Sequence, residues 1–278
     1  MPASIWNPEA MIIGLTVTTV LLYLLASLLL GNRLFRQLSE YRSTRWTPLA
    51  VGLAGAAVHG IALYSVVFTG HGMDLAFFNM LSLVAWLVVV LLLIAAVTQP
   101  VENLGIVILP LAALAVLLQP LLHAGPELMA GEARGIDLHI LLSVLSYSLL
   151  AIAVVQAGLL AVQDYHLRNR HPGGFIRALP PLETMERLLF QMIGVGFVLL
   201  TFSLLSGAVF LEDIFAQHLV HKTLLSIVAW VVFAVLLWGR WRTGWRGRTA
   251  IRWTLGGFIT LMLAYFGSKL VLELILGY

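Results

Sequence analysis

LAFFNMLSLVAWLVVVLLLIAAV, Leu75 to Val97, runs for 23 residues without one charged side chain. As a helix it reaches roughly 34 Å at 1.5 Å per residue, enough to cross a hydrocarbon core of about 30 Å. In lipid a backbone must satisfy its own hydrogen bonds, so a run of this kind is read as a transmembrane helix. Seven more such runs lie on either side: Met11–Leu30, Pro48–Phe68, Leu104–Leu122, Leu138–Val162, Leu188–Leu211, Leu219–Trp238 and Ile251–Leu276. Of the 278 residues, 60% are hydrophobic and 10% charged, against roughly 25% charged in soluble domains; the mean hydropathy is +0.98. The expected fold is an all-α polytopic membrane protein with eight transmembrane helices, one integral membrane domain over residues 1–278. No segment between the spans is long enough for a separate soluble domain, and the lipid bilayer is the first expected partner.

The pI of 9.4 does not point to nucleic acid, because the basic residues are distributed by topology. Arg33, Arg36, Arg42 and Arg45 follow span one; Arg168, Arg170, Arg177 and Arg187 follow span five; Arg240, Arg242, Arg246, Arg248 and Arg252 follow span seven. These are 13 of the 16 Lys and Arg, and all fall in odd-numbered connections or, for Arg252, at the border of one. The positive-inside bias assigns those connections to the cytoplasm, so both termini are expected on the outer side. The acidic Asp74, Glu127, Glu132, Asp137, Glu212 and Asp213 fall in even-numbered connections, in agreement. Trp46, Trp238, Trp241, Trp245 and Trp253 suit an aromatic belt at the cytoplasmic interface. No Lys or Arg precedes the first apolar run and no small-residue cleavage site follows it, so that run is read as an uncleaved anchor. The expected location is a bacterial inner membrane.

The chain has no cysteine, which excludes disulfides, thiolate chemistry, iron–sulfur clusters and covalent haem attachment to the chain itself. Phosphate-cradling glycine loops, nucleophile elbows and paired catalytic carboxylates are also missing, so no enzyme is expected. Pro110 is expected to kink span four. Ser203, Ser206 and Gly207 in span six, and Gly256, Thr260 and Gly267 in span eight, are read as small faces for close helix packing.

The histidines carry the chemistry that remains. His59 lies mid-span, roughly 13 Å below the outer end of its helix at 1.5 Å per residue. Ionisable groups at such depth face the bundle interior or a cavity; a hydrogen bond to a neighbouring helix and a functional role both stand as readings. His139 opens span five on the outer side, followed along its face by Ser143, Ser146 and Tyr147. In QHLVHKTLLSIVAW, Gln217 to Trp230, His218 and His221 are three residues apart and share a helical face, also at the outer side. Such imidazoles suit haem iron better than zinc, since no carboxylate or thiolate with zinc-site spacing accompanies them. Lys222 either attracts a haem propionate or snorkels to the interface. His71, His123, His166 and His171 are read as surface residues. Lys269 and Glu273 read as a local ion pair or, in a transporter, as part of a polar path.

The ordered set of motifs resembles the cytochrome c assembly protein family, the group containing the haem-handling proteins CcsA and CcmC, and within it the shorter HemX-like and YpjD-like branch. HGIALYSVVFTGHGMDLAFFNMLSLVAW, His59 to Trp86, is similar to the family's membrane histidine followed by a GH turn. DLHILLSVLSYSLL, Asp137 to Leu150, is similar to its outer histidine and SY helix. SGAVF (Ser206 to Phe210), HKTLLSIVAW (His221 to Trp230), GWRGRTA (Gly244 to Ala250) and AYFGSKL (Ala264 to Leu270) follow in the family's order. The resemblance implies non-covalent haem b, with His59 and His139 as ligands. It also shows departures: LEDIFAQHLVHK, Leu211 to Lys222, replaces a tryptophan-rich loop, and Trp238 stands where a second membrane histidine falls. His221, or else His218, is the candidate to replace a missing ligand. The function expected is haem handling in cytochrome maturation, with other cytochrome-assembly or haem-metabolism membrane proteins as partners. The alternatives are a cofactor-free accessory protein of haem metabolism and a small-solute or ion transporter. Oligomeric state is not legible in the sequence.

Overall fold

The computed structural model describes residues 8–36, 45–69, 72–122, 128–129, 134–170, 173–210 and 217–267. Its helices are α1 (Pro8–Arg36), α2 (Trp46–Val67), α3 (Phe77–Thr98), α4 (Gly105–Leu121), α5 (Arg134–Arg168), α6 (Leu182–Phe210), α7 (Gln217–Thr243) and α8 (Gly247–Met262). Each predicted span falls on one of them, although the end of Ile251–Leu276 lies outside the described residues; counted with the adjoining turns Glu102–Leu104 before α4 and Leu263–Gly267 after α8, all eight are long and apolar enough to cross a membrane. The described residues form two compact units, Met1–Ala130 with α1 to α4 and Gly131–Tyr278 with α5 to α8.

In the first unit, α1 packs on α2 and α4, and α3 packs on the same two helices. A small three-stranded antiparallel sheet lies in the connections: β1 (Phe68–Thr69), β2 (Gly72–Asp74) and β3 (Leu128–Met129), with Phe68 opposite Met73 and Met73 opposite Met129. Two or three residues are too few to display a period of two, so these strands leave no pattern in the sequence. α4 runs without interruption through Pro110 and Pro120. A proline inside a helix orphans the carbonyl four residues before it, which for Pro110 is that of Ile106. Ser27 of α1 repairs the loss, its Oγ donating to the Ile106 carbonyl at 3.0 Å. Ser27→Ala leaves that carbonyl without a donor in an apolar interior, and is expected to cost about 1–3 kcal/mol. Unfolding of the detergent-solubilised protein against wild type measures it, and an unchanged midpoint would show the repair to be unnecessary.

In the second unit, α5 packs on α6 and α8, and α7 packs on α6 and α8. α5 continues well past the predicted Val162, because nothing between Gln163 and Arg168 breaks a helix. It ends at Arg168, and the chain turns away at Arg170, whose φ of 57° is left-handed, two residues ahead of Pro172 in the sequence. α7 ends in a left-handed αL turn: Gly244, at φ 70°, donates to the Arg240 carbonyl, and Trp245 donates to the Gly239 carbonyl, both at 3.2 Å. Glu186 of α6 then receives the Gly247 N–H at 2.8 Å and Arg246 Nε at 3.2 Å, closing the start of α8. One packing expectation needs correction. Gly256 has no described side chain within reach of an added Cβ, and the Thr260 hydroxyl turns back to the Gly256 carbonyl. The buried face of α8 is instead Ala250, Thr254, Gly257 and Leu261, with Gly257 seated against the Phe233 ring. Small residues occur on both faces, so their spacing alone did not choose the packed one.

Candidate functional site

α5 and α6 run antiparallel along a seam of polar side chains that the sequence placed on one face of α5. At its far end Gln163 Nε2 donates to the Pro180 carbonyl and Gln156 Nε2 to the Met185 carbonyl, both at 3.0 Å. Ser146 Oγ, farther along, donates to the Gly196 carbonyl at 2.9 Å, and Leu150 fills the hollow over Gly196. The seam ends at His139. Its Nδ1 lies 2.9 Å from the Ser203 carbonyl and 3.2 Å from Ser206 Oγ. Ser206 Oγ donates to the same carbonyl at 2.8 Å, and Ser143 Oγ spans from the His139 carbonyl to Ser203 Oγ, each at 2.7 Å.

This arrangement fixes the imidazole chemically. A carbonyl oxygen only accepts, so Nδ1 carries the proton in its bond to Ser203, and the lone pair of the neutral ring resides on Nε2. Among the described residues no hydrogen bond reaches Nε2. A ring N–H held by a backbone carbonyl, with the opposite nitrogen left as a base, is the usual orientation of a metal-ligating histidine. His139 is half-buried, as a ligand at the mouth of a site would be.

His59 in the first unit has the opposite arrangement. The ring is 0% exposed, with Nδ1 3.1 Å from the Tyr23 hydroxyl and Nε2 2.9 Å from Ser82 Oγ. A neutral imidazole offers one donor and one acceptor, and both are engaged. Iron could reach this ring only by displacing one hydroxyl.

A haem therefore fits the donor set at His139 and does not fit His59 as it is held. His218 and His221 lie on the first turns of α7, but their side chains are outside the described residues. His71, His123, His171, Lys269 and Glu273 are outside them altogether. His166 bonds to its own helix, Nδ1 donating to the Val162 carbonyl at 2.8 Å, and is half-buried, its ring edge-on to Phe175. No group of three or more His, Asp or Glu close enough for a metal ion occurs among the described residues; haem iron needs only one or two imidazoles.

Sequence reading singled out both central histidines but missed their partners. Ser203 and Ser206 looked like packing residues, and their serine-rich spacing opposite the His139 stripe was the available signal. Tyr23 gave none, being 36 residues from His59 and on another helix.

A family model described as Cytochrome C assembly protein matches residues 48–276. The inner membrane protein YpjD of Escherichia coli strain K12 is 37% identical over 238 residues, 83% of this chain and 89% of that protein. A 28.8 kDa protein from the nifR3-like 5′ region of Azospirillum brasilense is 32% identical over 272 residues, 94% of this chain and 97% of its own. The cytochrome c biogenesis protein CcsA of Gloeothece citriformis is 27% identical over 121 residues, 43% of this chain and 37% of that protein. No solved structure matches.

Proposed function

The chain belongs to the cytochrome c assembly protein family, and we propose that it handles haem b in cytochrome maturation, holding it non-covalently, with His139 as the residue that would ligate its iron. It is a multi-pass inner-membrane protein. Its placement with both termini outside follows the arginine distribution, and puts His139 at the outer end of α5. The observation that carries the reading is the hydrogen bond from Nδ1 to the Ser203 carbonyl, which leaves Nε2 as the basic nitrogen. Bound haem supplies a redox-active iron; the chain's part is to present one oriented imidazole and a surrounding apolar bundle. His221, or His218, is the candidate for a second ligand by its shared sidedness with His139. No catalytic group is assigned, and the protein acts as a binder or carrier rather than an enzyme.

Haem titration of the purified protein, followed at the Soret band, tests this reading. Wild type is expected to bind saturably. Ser206→Ala removes the outer contact to Nδ1 while keeping the carbonyl, and is expected to weaken binding about tenfold, the lower range for a lost outer-shell partner. Equal titrations of the two proteins would remove Ser206 from the site, and no saturable binding by wild type would remove haem from the function. A cofactor-free accessory role is the second reading, favoured by the complete internal pairing of His59.

A further inference from the structure

The first unit contains a second histidine site whose partners come from three helices. Tyr23, His59 and Ser82 sit on α1, α2 and α3, and all three are 0% exposed. We infer that Tyr23, His59 and Ser82 form a closed hydrogen-bonded clasp fastening α1 to α2 and α3, and that His59 is committed to this clasp and does not ligate haem iron.

The geometry around the triad is built for it. The Tyr23 phenol donates or accepts at Nδ1 and the Ser82 hydroxyl takes the complementary role at Nε2, so each ring nitrogen has one partner. The Tyr23 and His59 rings meet edge to face with centroids 5.8 Å apart. Tyr23 reaches the histidine only because α2 has Gly55 beneath it: a Cβ there would lie 2.7 Å from the tyrosine Cδ1. On the other side Trp86, one turn beyond Ser82, donates Nε1 to the Ala56 carbonyl at 2.8 Å. Gly60 makes room for that indole, since a Cβ would stand 3.2 Å from Nε1. Two glycines of α2 thus admit one aromatic residue from each neighbouring helix, Tyr23 of α1 and Trp86 of α3, beside the clasp.

An unsatisfied imidazole nitrogen in an apolar interior is costly, so the partners are as much a part of the site as the ring. One of them, Tyr23, lies before the residues 48–276 that match the family. The first helix of this chain therefore completes a site whose histidine lies inside the shared region. If the haem reading holds, on which this consequence rests, the iron ligands lie outside the first unit's clasp, and the chain carries one haem site rather than one on each histidine.

The test combines a mutant cycle with spectroscopy on the full-length haem-loaded protein: Tyr23→Phe, His59→Gln and the double variant. Both single variants are expected to lower the thermal midpoint by several degrees. The double variant should fall little below His59→Gln alone, because both changes remove the same bond. Haem content and Soret position are expected to match wild type in all three. Additive destabilisation would overturn the clasp. Loss of haem from a folded His59→Gln protein would overturn the second half of the inference. If His59→Gln fails to fold, Tyr23→Phe decides alone: loss of the phenol bond to the ring of an axial ligand would shift the Soret band, whereas a clasp residue leaves it in place. Haem-free wild type would remove the proposed function, and the mutant cycle would still decide the clasp.

Discussion

His139→Ala is expected to purify folded but without a Soret band, the largest functional change of any single substitution in this chain. The variant removes Nε2, the nitrogen that the Ser203 carbonyl leaves unprotonated, and with it the proposed iron ligand. The remaining seam between α5 and α6 is largely untouched, because Ser146, Gln156 and Gln163 bond to α6 and to the segment leading into it without using the histidine. Folding should therefore survive, which a monodisperse elution profile and far-ultraviolet circular dichroism would check. His166→Ala is the control, since its ring hydrogen-bonds to the Val162 carbonyl of its own helix, at the opposite end of α5 from His139; it should retain the full band. Equal loss of haem in both variants would indicate a general defect rather than a lost ligand.

The largest expected effect on stability comes from the other unit. Arg33, near the end of α1, meets Glu102 between α3 and α4 at 3.1 Å, with side chains only 15% and 14% exposed. Glu102→Ala leaves the guanidinium in a nearly dry setting without its counter-charge, and is expected to cost about 3–5 kcal/mol. The pair is also imperfectly satisfied, because Arg33 Nε and Glu102 Oε2 are buried with no hydrogen-bond partner among the described residues. Replacing both ends, as Arg33→Met with Glu102→Leu, should therefore be nearly neutral or stabilising. Thermal unfolding of the single and double variants measures both. A double variant as unstable as Glu102→Ala would show that the pair contributes net stability rather than merely balancing its own burial.

Much of this architecture was legible before any coordinates, for a physical reason. Lipid forces each crossing segment to be both apolar and helical, so eight apolar runs suffice to place α1 to α8. Segments outside the hydrocarbon are under no such constraint. The extension of α5 to Arg168 and the short strands around Met73 and Met129 accordingly left no periodic trace.

The candidate site was half legible. A histidine at the start of a span, followed by Ser143 and Ser146 at helical spacing, announced the His139 seam. The decisive partner is the backbone carbonyl of Ser203, and a carbonyl has no sequence signature. His59 was conspicuous for its depth, yet sequence cannot tell a ligand from a hydrogen-bonded hub, because the difference lies in Tyr23 and Ser82 on other helices. The repair of the Ile106 carbonyl by Ser27 is of the same kind: Pro110 announced the orphan, and only packing named the donor.

The most direct test of haem handling is a pyridine haemochrome assay of the wild-type protein, purified in mild detergent from cells supplied with haem precursor. The expected result is about one non-covalent haem b per chain, extractable into acidified organic solvent as the lack of cysteine thioether links requires. Protein that emerges folded and haem-free, even after haem is added back, would contradict the reading and leave His139, like His59, as a residue that holds helices together.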